Sequence, residues 1–208
     1  MTGEYRIDLH EFPPPLHRIV KSWYSWQEIY LRKMGSPVPQ HNFAATEENQ
    51  ESGWGAKPPT MIGDRELCFF NDSELVYYLV IGDNGYYFDK KSRSSRERYW
   101  MFRRFEDAEK YMLFLISQAA RPGKYSDSPS FRWYREGLNP RVTLTKPDPI
   151  NHPGRVSMTV DHESTDRGWM PEHDAIAASH LIVLTFEELD ETLRRGIPRE
   201  WFSIKVVD

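Results

Sequence analysis

The residues most able to perform acid–base or metal chemistry are the seven histidines and the carboxylates near them. Histidine changes its charge near neutral pH and is a common metal ligand. His162 precedes Glu163, and His173 lies in a second acidic segment. No His-Glu-x-x-His motif places two imidazoles and a carboxylate on one helical face. An enzyme that uses the His162/His173 region is therefore an alternative hypothesis and not the leading one.

The metal-capable side chains of this region share one polar segment. They are Asp161, His162, Glu163, Asp166, Glu172, His173 and Asp174. Tight metal binding needs preset ligand geometry with supporting hydrogen bonds. Because the segment is polar and irregular, we predict a solvated loop and no metal site.

The sequence also lacks the usual nucleophile and phosphate-binding motifs. Cys68 is the single cysteine and lies in the apolar sequence Leu-Cys-Phe-Phe, where a buried, unreactive thiol is expected. There is no Gly-x-Ser-x-Gly elbow, no phosphate-binding glycine loop and no dinucleotide fingerprint. We therefore predict no catalytic residue and no cofactor, in a protein that is not an enzyme.

The most unusual composition lies at residues 90–104, where seven basic residues accompany one acidic residue and several aromatic rings. One interpretation is a nucleic-acid or phosphate-ligand site in which arginines follow the phosphates and rings stack on bases. Its candidate residues are Arg93, Arg96, Arg98, Arg103 and Arg104. The formal net charge of −4 argues against general binding to nucleic acid or to anionic membranes.

Two other interpretations of the same stretch remain open. Lysines and arginines on an exposed hairpin connection protect a sheet edge from wrong pairing. A charged, protruding hairpin can also enter the cleft of a protein partner, because arginine and aromatic residues dominate protein interfaces.

Hydrophobic periodicity predicts a single α+β domain over residues 1–208, with a mainly antiparallel sheet and about three helices packed on it. We read residues 1–11 as a short arm, 36–59 as a flexible loop, 90–98 as a charged connection and 124–140 as irregular. The predicted helices are 16–34, 106–120 and 185–195, and the predicted strands are 61–70, 75–81, 86–89, 99–102, 141–145 and 155–160. Residues 180–184 are either a strand or a short helix, and 203–207 could close the sheet.

The position of the protein in the cell is also predicted from composition. The first residues do not form the basic and then apolar pattern of a signal peptide, and no apolar run has the length of a membrane span. We therefore expect a cytoplasmic protein that does not bind membranes.

One segment resembles a known family. The stretch from Tyr77 to Phe88, followed by Phe105-Glu-Asp-Ala-Glu-Lys-Tyr-Met112, resembles the bacterial immunity proteins that neutralise polymorphic toxins. More narrowly, it resembles the immunity factors paired with NAD-glycohydrolase toxins of the tuberculosis-necrotizing-toxin type. The shared pattern is the helix entry Phe-x-Asp-Ala-x-x-Tyr, here formed by Phe105, Asp107, Ala108 and Tyr111.

This resemblance implies a cytoplasmic antitoxin that binds a cognate toxin catalytic domain and blocks its active site. It implies no chemistry by the immunity protein itself. The resemblance does not assign the binding surface, so we predict it from charge and aromatic content. The candidate partner-binding residues are Arg93, Arg96, Arg98, Trp100, Arg103, Trp169, Glu172 and Asp174.

Overall fold

A computed structural model describes residues 3–35, 57–72, 74–93, 95–202 and 204–207. Within these residues the chain is α+β, as predicted, and it has five α-helices where about three were expected. The helices are α1 His17–Lys33, α2 Phe105–Ala120, α3 Pro129–Glu136, α4 Glu172–Ile182 and α5 Phe186–Arg194. The strands are β1 Gly3–Arg6, β2 Thr60–Ile62, β3 Glu66–Asn71, β4 Leu75–Gly82, β5 Gly85–Ser92, β6 Ser95–Phe102, β7 Val142–Thr145, β8 Arg155–Val160, β9 Gly168–Pro171 and β10 Ile204–Val207. Most of the predicted loop at 36–59 lies outside the described residues.

Eight strands form one antiparallel sheet in the order β2-β3-β4-β5-β6-β9-β8-β7. The strands predicted at 75–81 and 86–89 form a hairpin at its centre, in which β4 and β5 pair along their whole length up to Gly82 and Gly85. Gly85 has a φ of +154°, and a Cβ there would lie 2.8 Å from the carbonyl oxygen of Phe102. A glycine is therefore required where the turn approaches β6.

Two sequence-based boundaries were wrong. Residues 61–70 form the hairpin β2–β3 and not one strand, with Gly63 in its turn at a φ of +60°. The predicted charged connection at 90–98 is mostly strand, because β5 continues to Ser92 and β6 begins at Ser95. Two of these charged side chains, Arg96 and Arg98, are compatible with the strand because they pair with Asp89 on β5, and Arg96 also reaches Glu66 on β3.

Two helices were missed by sequence reasoning. In the stretch read as irregular, the Ser128 hydroxyl accepts a hydrogen bond from the Phe131 backbone N–H at 3.2 Å, and Pro129 begins α3. The segment predicted as a solvated loop, residues 161–174, instead contains β9 and the first residues of α4, and α4 also contains most of the ambiguous run at 180–184. Buried Ala178 and Leu181 lie on the inner side of α4. This short apolar pattern was too weak to predict a helix, because the segment begins with charged residues.

The first and last described strands pair with each other and not with the main sheet. The segment read as an arm contains β1, which pairs in parallel with β10 in a separate two-stranded ribbon. The Ile7 backbone N–H continues this pairing by donating to the carbonyl of Val207 at 3.0 Å, and Ile7 and Leu9 are buried. The C-terminal strand therefore closes this ribbon and not the eight-stranded sheet.

Aromatic rings from the sheet and α2 fill the centre of the core. The Phe88 ring is fully buried and packs edge-on against the rings of Phe69, Trp100, Phe102 and Tyr111 at centroid distances of 5.8–6.4 Å. Such edge-to-face pairs add to the stability from burial alone. Among the described residues, no helix has the length and apolar character needed to span a membrane.

Candidate functional site

Strand register decides which predicted residues share a face, because successive side chains in a strand point to opposite sides of the sheet. Trp100 and Phe88 are paired and face α2. On the opposite side, which we call the outer face, Asp89 is paired with both Tyr78 and Arg98. Thus adjacent residues of β5 and β6 serve different surfaces.

The outer face carries three guanidinium groups stacked on aromatic rings. Arg96 lies 4.0 Å from the ring centroid of Tyr78, and Arg98 lies 4.1 Å from that of Tyr87. Arg155 lies 4.2 Å from the ring of Trp169 and donates to the Arg98 carbonyl at 3.2 Å. Together with Asp89 we call these residues the arginine face: Tyr78, Tyr87, Asp89, Arg96, Arg98, Arg155 and Trp169.

Carboxylates hold the central arginines in place. Arg96 forms a two-pronged pair with Glu66 at 2.7 and 3.1 Å and also donates to Asp89. Arg98 Nε donates to the other oxygen of Asp89 at 3.2 Å. The hydrogen bonds to Glu66, opposed by partial desolvation, raise the pKa of Arg96 above its ordinary value, so it stays charged. These side chains are therefore ordered before any partner binds, while much of their charge is neutralised.

The predicted site residues divide between several places. Arg96, Arg98 and Trp169 lie on the arginine face, whereas Trp100 and Asp174 lie on the α2 side of the sheet.

The remaining candidates do not join either group directly. Arg93 is exposed in the β5–β6 turn with a φ of +55°. Arg103 pairs with Asp166 at 2.9 Å just beyond β6, and Arg104 lies 3.3 Å from Glu163. Glu172 is exposed and pairs with Lys146 at 3.0 Å.

Sequence reasoning missed four members of the arginine face, namely Tyr78, Tyr87, Asp89 and Arg155. Tyr78 and Tyr87 had been assigned to strands, and alternation along those strands could have indicated that they point away from Phe88. Arg155 gave no signal of its own, because its contact with Trp169 depends on the pairing of β8 with β9.

The acidic segment that suggested metal binding is divided among ion pairs. Asp161 pairs with Arg141, while Glu163 pairs with Arg167 at 2.6 Å. These hydrogen bonds lower the pKa values of Asp161 and Glu163. Within the part of the chain that the structure describes, no group of three or more potential ligands is arranged to hold a metal.

Cys68 matches the expectation of a buried thiol. It is 8% exposed, and burial raises its pKa, with the nearby Glu66 carboxylate acting in the same direction. A raised pKa reduces the thiolate fraction at neutral pH, so the environment does not activate this thiol.

A groove on the α2 side of the sheet is the second candidate site. It has a volume of about 650 Å³, within the range of small-molecule pockets. Its inner wall carries four rings around one carboxylate: Tyr77, Tyr99, Trp100, Tyr111 and Asp174. Apolar side chains of β3, β4 and α2 complete the wall: Phe70, Leu75, Phe114 and Leu115. Two exposed tyrosines, Tyr125 and Tyr134, stand at its rim.

A β-bulge helps to build this aromatic groove. The register of β5 with β6 shifts between Phe88 and Asp89, so that Tyr99 has no partner of its own between Arg98 and Trp100. Bulges redirect side chains and often occur beside functional sites. Here the extra residue supplies a second ring, and the centroids of Tyr99 and Trp100 are 5.3 Å apart.

Asp174 is the polar centre of the groove. Its Oδ2 accepts a hydrogen bond from the indole N–H of Trp100 at 2.8 Å, and its Oδ1 lies 3.5 Å from Nε2 of His173. Desolvation raises the pKa of Asp174, although the bond from Trp100 opposes the shift. Burial together with the Asp174 charge raises the pKa of Tyr77 to about 12 and that of Tyr111 well above its ordinary value. Both phenols are therefore neutral beside the carboxylate.

Comparison with known proteins gives one distant similarity. No family model matches the chain, and no curated protein matches it. Among solved structures, Rv3902c from M. tuberculosis is similar, with a TM-score of 0.48 and 14% identity over 84% of this chain and 86% of that one. This similarity is too distant to indicate a function.

Proposed function

We propose that this chain is an immunity protein that binds the catalytic domain of a cognate toxin and blocks its active site. The resemblance around Phe105, Asp107, Ala108 and Tyr111 favours an NAD-glycohydrolase as the toxin. The observation that carries the proposal is the arginine face, where ordered arginines and aromatic rings form one surface of the sheet.

The composition of this face suits a protein partner. Arginine, tyrosine and tryptophan are the residues most often found at binding hot spots. Each guanidinium is already fixed by a ring or a carboxylate, and pre-organised side chains lose less conformational entropy on binding. The rings of Tyr78 and Tyr87 remain partly accessible, because guanidinium groups cover them in place of a helix.

The dimensions of the sheet surface that carries the arginine face also suit a protein–protein interface. Six neighbouring strands, β3 to β8 in the sheet order, are spaced about 4.8 Å apart and give a width of about 24 Å. The six strands contain four to eight residues each, and their mean length is about 22 Å. The resulting area of about 500 Å² in projection approaches the roughly 800 Å² that each partner buries in a standard interface.

The pairing of the arginines favours a protein over a nucleic acid. Binding to a phosphate backbone requires unneutralised positive charge. Here Arg96 and Arg98 share Asp89, and Arg96 also pairs with Glu66. A surface of alternating charges and rings instead matches a partner that offers both donors and acceptors.

The test is co-purification of the chain with the toxin encoded beside it, followed by titration of toxin activity. We expect a stable complex that inhibits the toxin. Arg98→Ala should weaken binding at least tenfold, since hot-spot truncations cost about 2 kcal/mol or more. Arg141→Ala is the matched control, because Arg141 is an exposed, carboxylate-paired arginine at the far end of the sheet order.

Failure to bind a co-encoded toxin would refute the immunity function. Binding that Arg141→Ala weakens as much as Arg98→Ala would instead retain the function and refute the assignment of the surface. Binding to single-stranded nucleic acid that weakens steeply with salt would support the phosphate-ligand alternative.

A further inference from the structure

We infer that the aromatic groove is a binding site for a small organic amine, with the ammonium group at Asp174 and an apolar body along the groove wall. This site lies on the α2 side of the sheet and is independent of the arginine face. It therefore stands apart from the proposed immunity function.

The first observation is the state of the Asp174 carboxylate. The side chain retains 25% of its exposure and faces the groove. Among the described side chains, no lysine or arginine forms an ion pair with it; its close polar neighbours are Trp100 and the mostly exposed His173. A partly desolvated carboxylate without a cationic partner gains most from a ligand that carries positive charge.

The second observation is the ring surface around that carboxylate. Trp100 contacts the rings of Tyr77 and Tyr111 at centroid distances of 5.7 and 5.4 Å, and Tyr99 adjoins it. Aromatic faces attract cations through their quadrupole, and clusters of such rings recognise organic ammonium groups. Tyr77 and Tyr99 are the more accessible rings, so they offer the surface that a ligand would contact.

The protein already places one ammonium group beside these rings. The Lys90 amine lies 5.2 Å from the ring centroid of Tyr99, and its charge lowers the pKa of Asp174, as a minor influence beside desolvation. Lys90 therefore shows that a cation is tolerated against the rings that line the groove. Its positive charge would weaken the binding of an incoming amine through repulsion.

The third observation is the shape of the wall beyond the charge. Leu75, Phe114 and Leu115 line the groove, and its volume of about 650 Å³ exceeds that needed for an ammonium ion alone. Apolar lining with one polar anchor is the usual construction of a ligand pocket. The geometry thus fits an amine on an aromatic or aliphatic body.

The test uses three probes that share one indole body: tryptamine, tryptophol and indole-3-propionate. Isothermal titration of the full chain with tryptamine should give saturable binding at one site, accompanied by a shift of the Trp100 indole N–H resonance. The neutral tryptophol should bind at least tenfold more weakly, and the anionic probe should show no saturable binding.

Variants separate the carboxylate from general hydrophobic binding. Asp174→Asn should weaken tryptamine binding at least tenfold and leave tryptophol unchanged, while Lys90→Met should strengthen tryptamine binding severalfold. Asp161→Asn, which makes the same change at an exposed carboxylate, should have no effect. If Asp174→Asn fails to fold, the wild-type affinity for tryptamine should still fall as acidification protonates Asp174.

Equal binding of tryptamine and tryptophol would overturn the inference, as would full tryptamine affinity in Asp174→Asn. Preferential binding of indole-3-propionate would also overturn it, by assigning recognition to Lys90. Toxin binding that survives in Asp174→Asn would show that the two sites are separate.

Discussion

Tyr87 and Phe88 are neighbours in β5 that belong to different surfaces. Phe88 is fully buried against α2, whereas Tyr87 remains partly exposed beneath the guanidinium of Arg98. In β6 the bulge at Tyr99 separates Trp100 from Arg98, because residues two positions apart in a regular strand would share a face. The inner side of the sheet uses rings mainly for packing, and the outer side uses them to orient arginines. Aromatic content alone therefore does not distinguish a core from a binding surface in this protein.

The aromatic groove is the place where this division is incomplete. Trp100 is 4% exposed and packs in the core, yet its indole N–H holds a carboxylate at the groove. The bulge at Tyr99 produces this arrangement, because it leaves a ring beside the core that a strictly alternating strand would not supply. The groove thus combines the burial of the inner side with the polarity of the outer side.

The largest expected difference in stability is between truncation of Phe88 and truncation of its neighbour Tyr87. Phe88→Ala should lower the free energy of unfolding by about 3–5 kcal/mol, because it leaves a cavity among the surrounding rings. Tyr87→Ala should cost less than about 1.5 kcal/mol, since its ring is only partly buried. Urea denaturation measures both values, and equal losses would contradict the assignment of the two faces.

A second contrast concerns the junction that joins β9 to β6. Gly168 has a φ of +143°, and a Cβ there would clash with the carbonyl oxygen of Met101. Gly168→Ala should therefore destabilise the fold by more than about 2 kcal/mol and displace Trp169 from the arginine face. Gly154→Ala is the control, because Gly154 has a positive φ but a Cβ added there would meet no atom within 4 Å. It should cost about 1 kcal/mol. Thermal denaturation distinguishes steric clash from strain alone.

A smaller effect is expected from the carboxylate between the arginines. Asp89 is 9% exposed and accepts hydrogen bonds from Arg96 and Arg98. Asp89→Asn should lower stability by about 1–2 kcal/mol, because the charge-assisted bonds are weakened and partly lost. It should also speed toxin dissociation, measured by surface plasmon resonance. Asp161→Asn should change neither quantity, and a matching effect there would argue against a specific role for Asp89.

The smallest expected effect is a pH dependence of protein stability that arises from Asp174 in the groove. Burial raises the pKa of Asp174, so the folded state binds a proton more readily than the unfolded state. This contribution to stability is present below the unfolded-state pKa and is lost as the pH rises through the folded-state pKa. Asp174→Asn should therefore be at least as stable as the wild type at pH 7, and the wild type should gain on it as the pH falls toward 4. The measurement is the free energy of unfolding in urea for both proteins at a series of pH values. If the two values changed in parallel with pH, the desolvation of Asp174 would be contradicted.

The sequence by itself determined the α+β class, the central hairpin and the helix that follows it. These features depend on local signals, namely alternating apolar residues, the Gly-rich turn and the apolar stripe of α2. The helix predicted at 185–195 is present as α5, which begins with a capping box in which Thr185 and Glu188 exchange hydrogen bonds with each other's backbone N–H groups. Each of these signals lies within a few residues of the structure that it specifies.

Only the tertiary structure decided which candidate residues belong together. Trp100 and Asp174 are 74 positions apart and meet through the packing of α4 beside the sheet. Arg98, Arg155 and Trp169 meet because three strands from distant parts of the chain pair in a particular register. A shift of one residue would exchange the two faces, and no local pattern in the charged stretch at 90–98 fixes that register. Buried contacts between distant strands and helices fix this register. They therefore assign the arginines to the outer face and the Asp174 carboxylate to the groove on the other side.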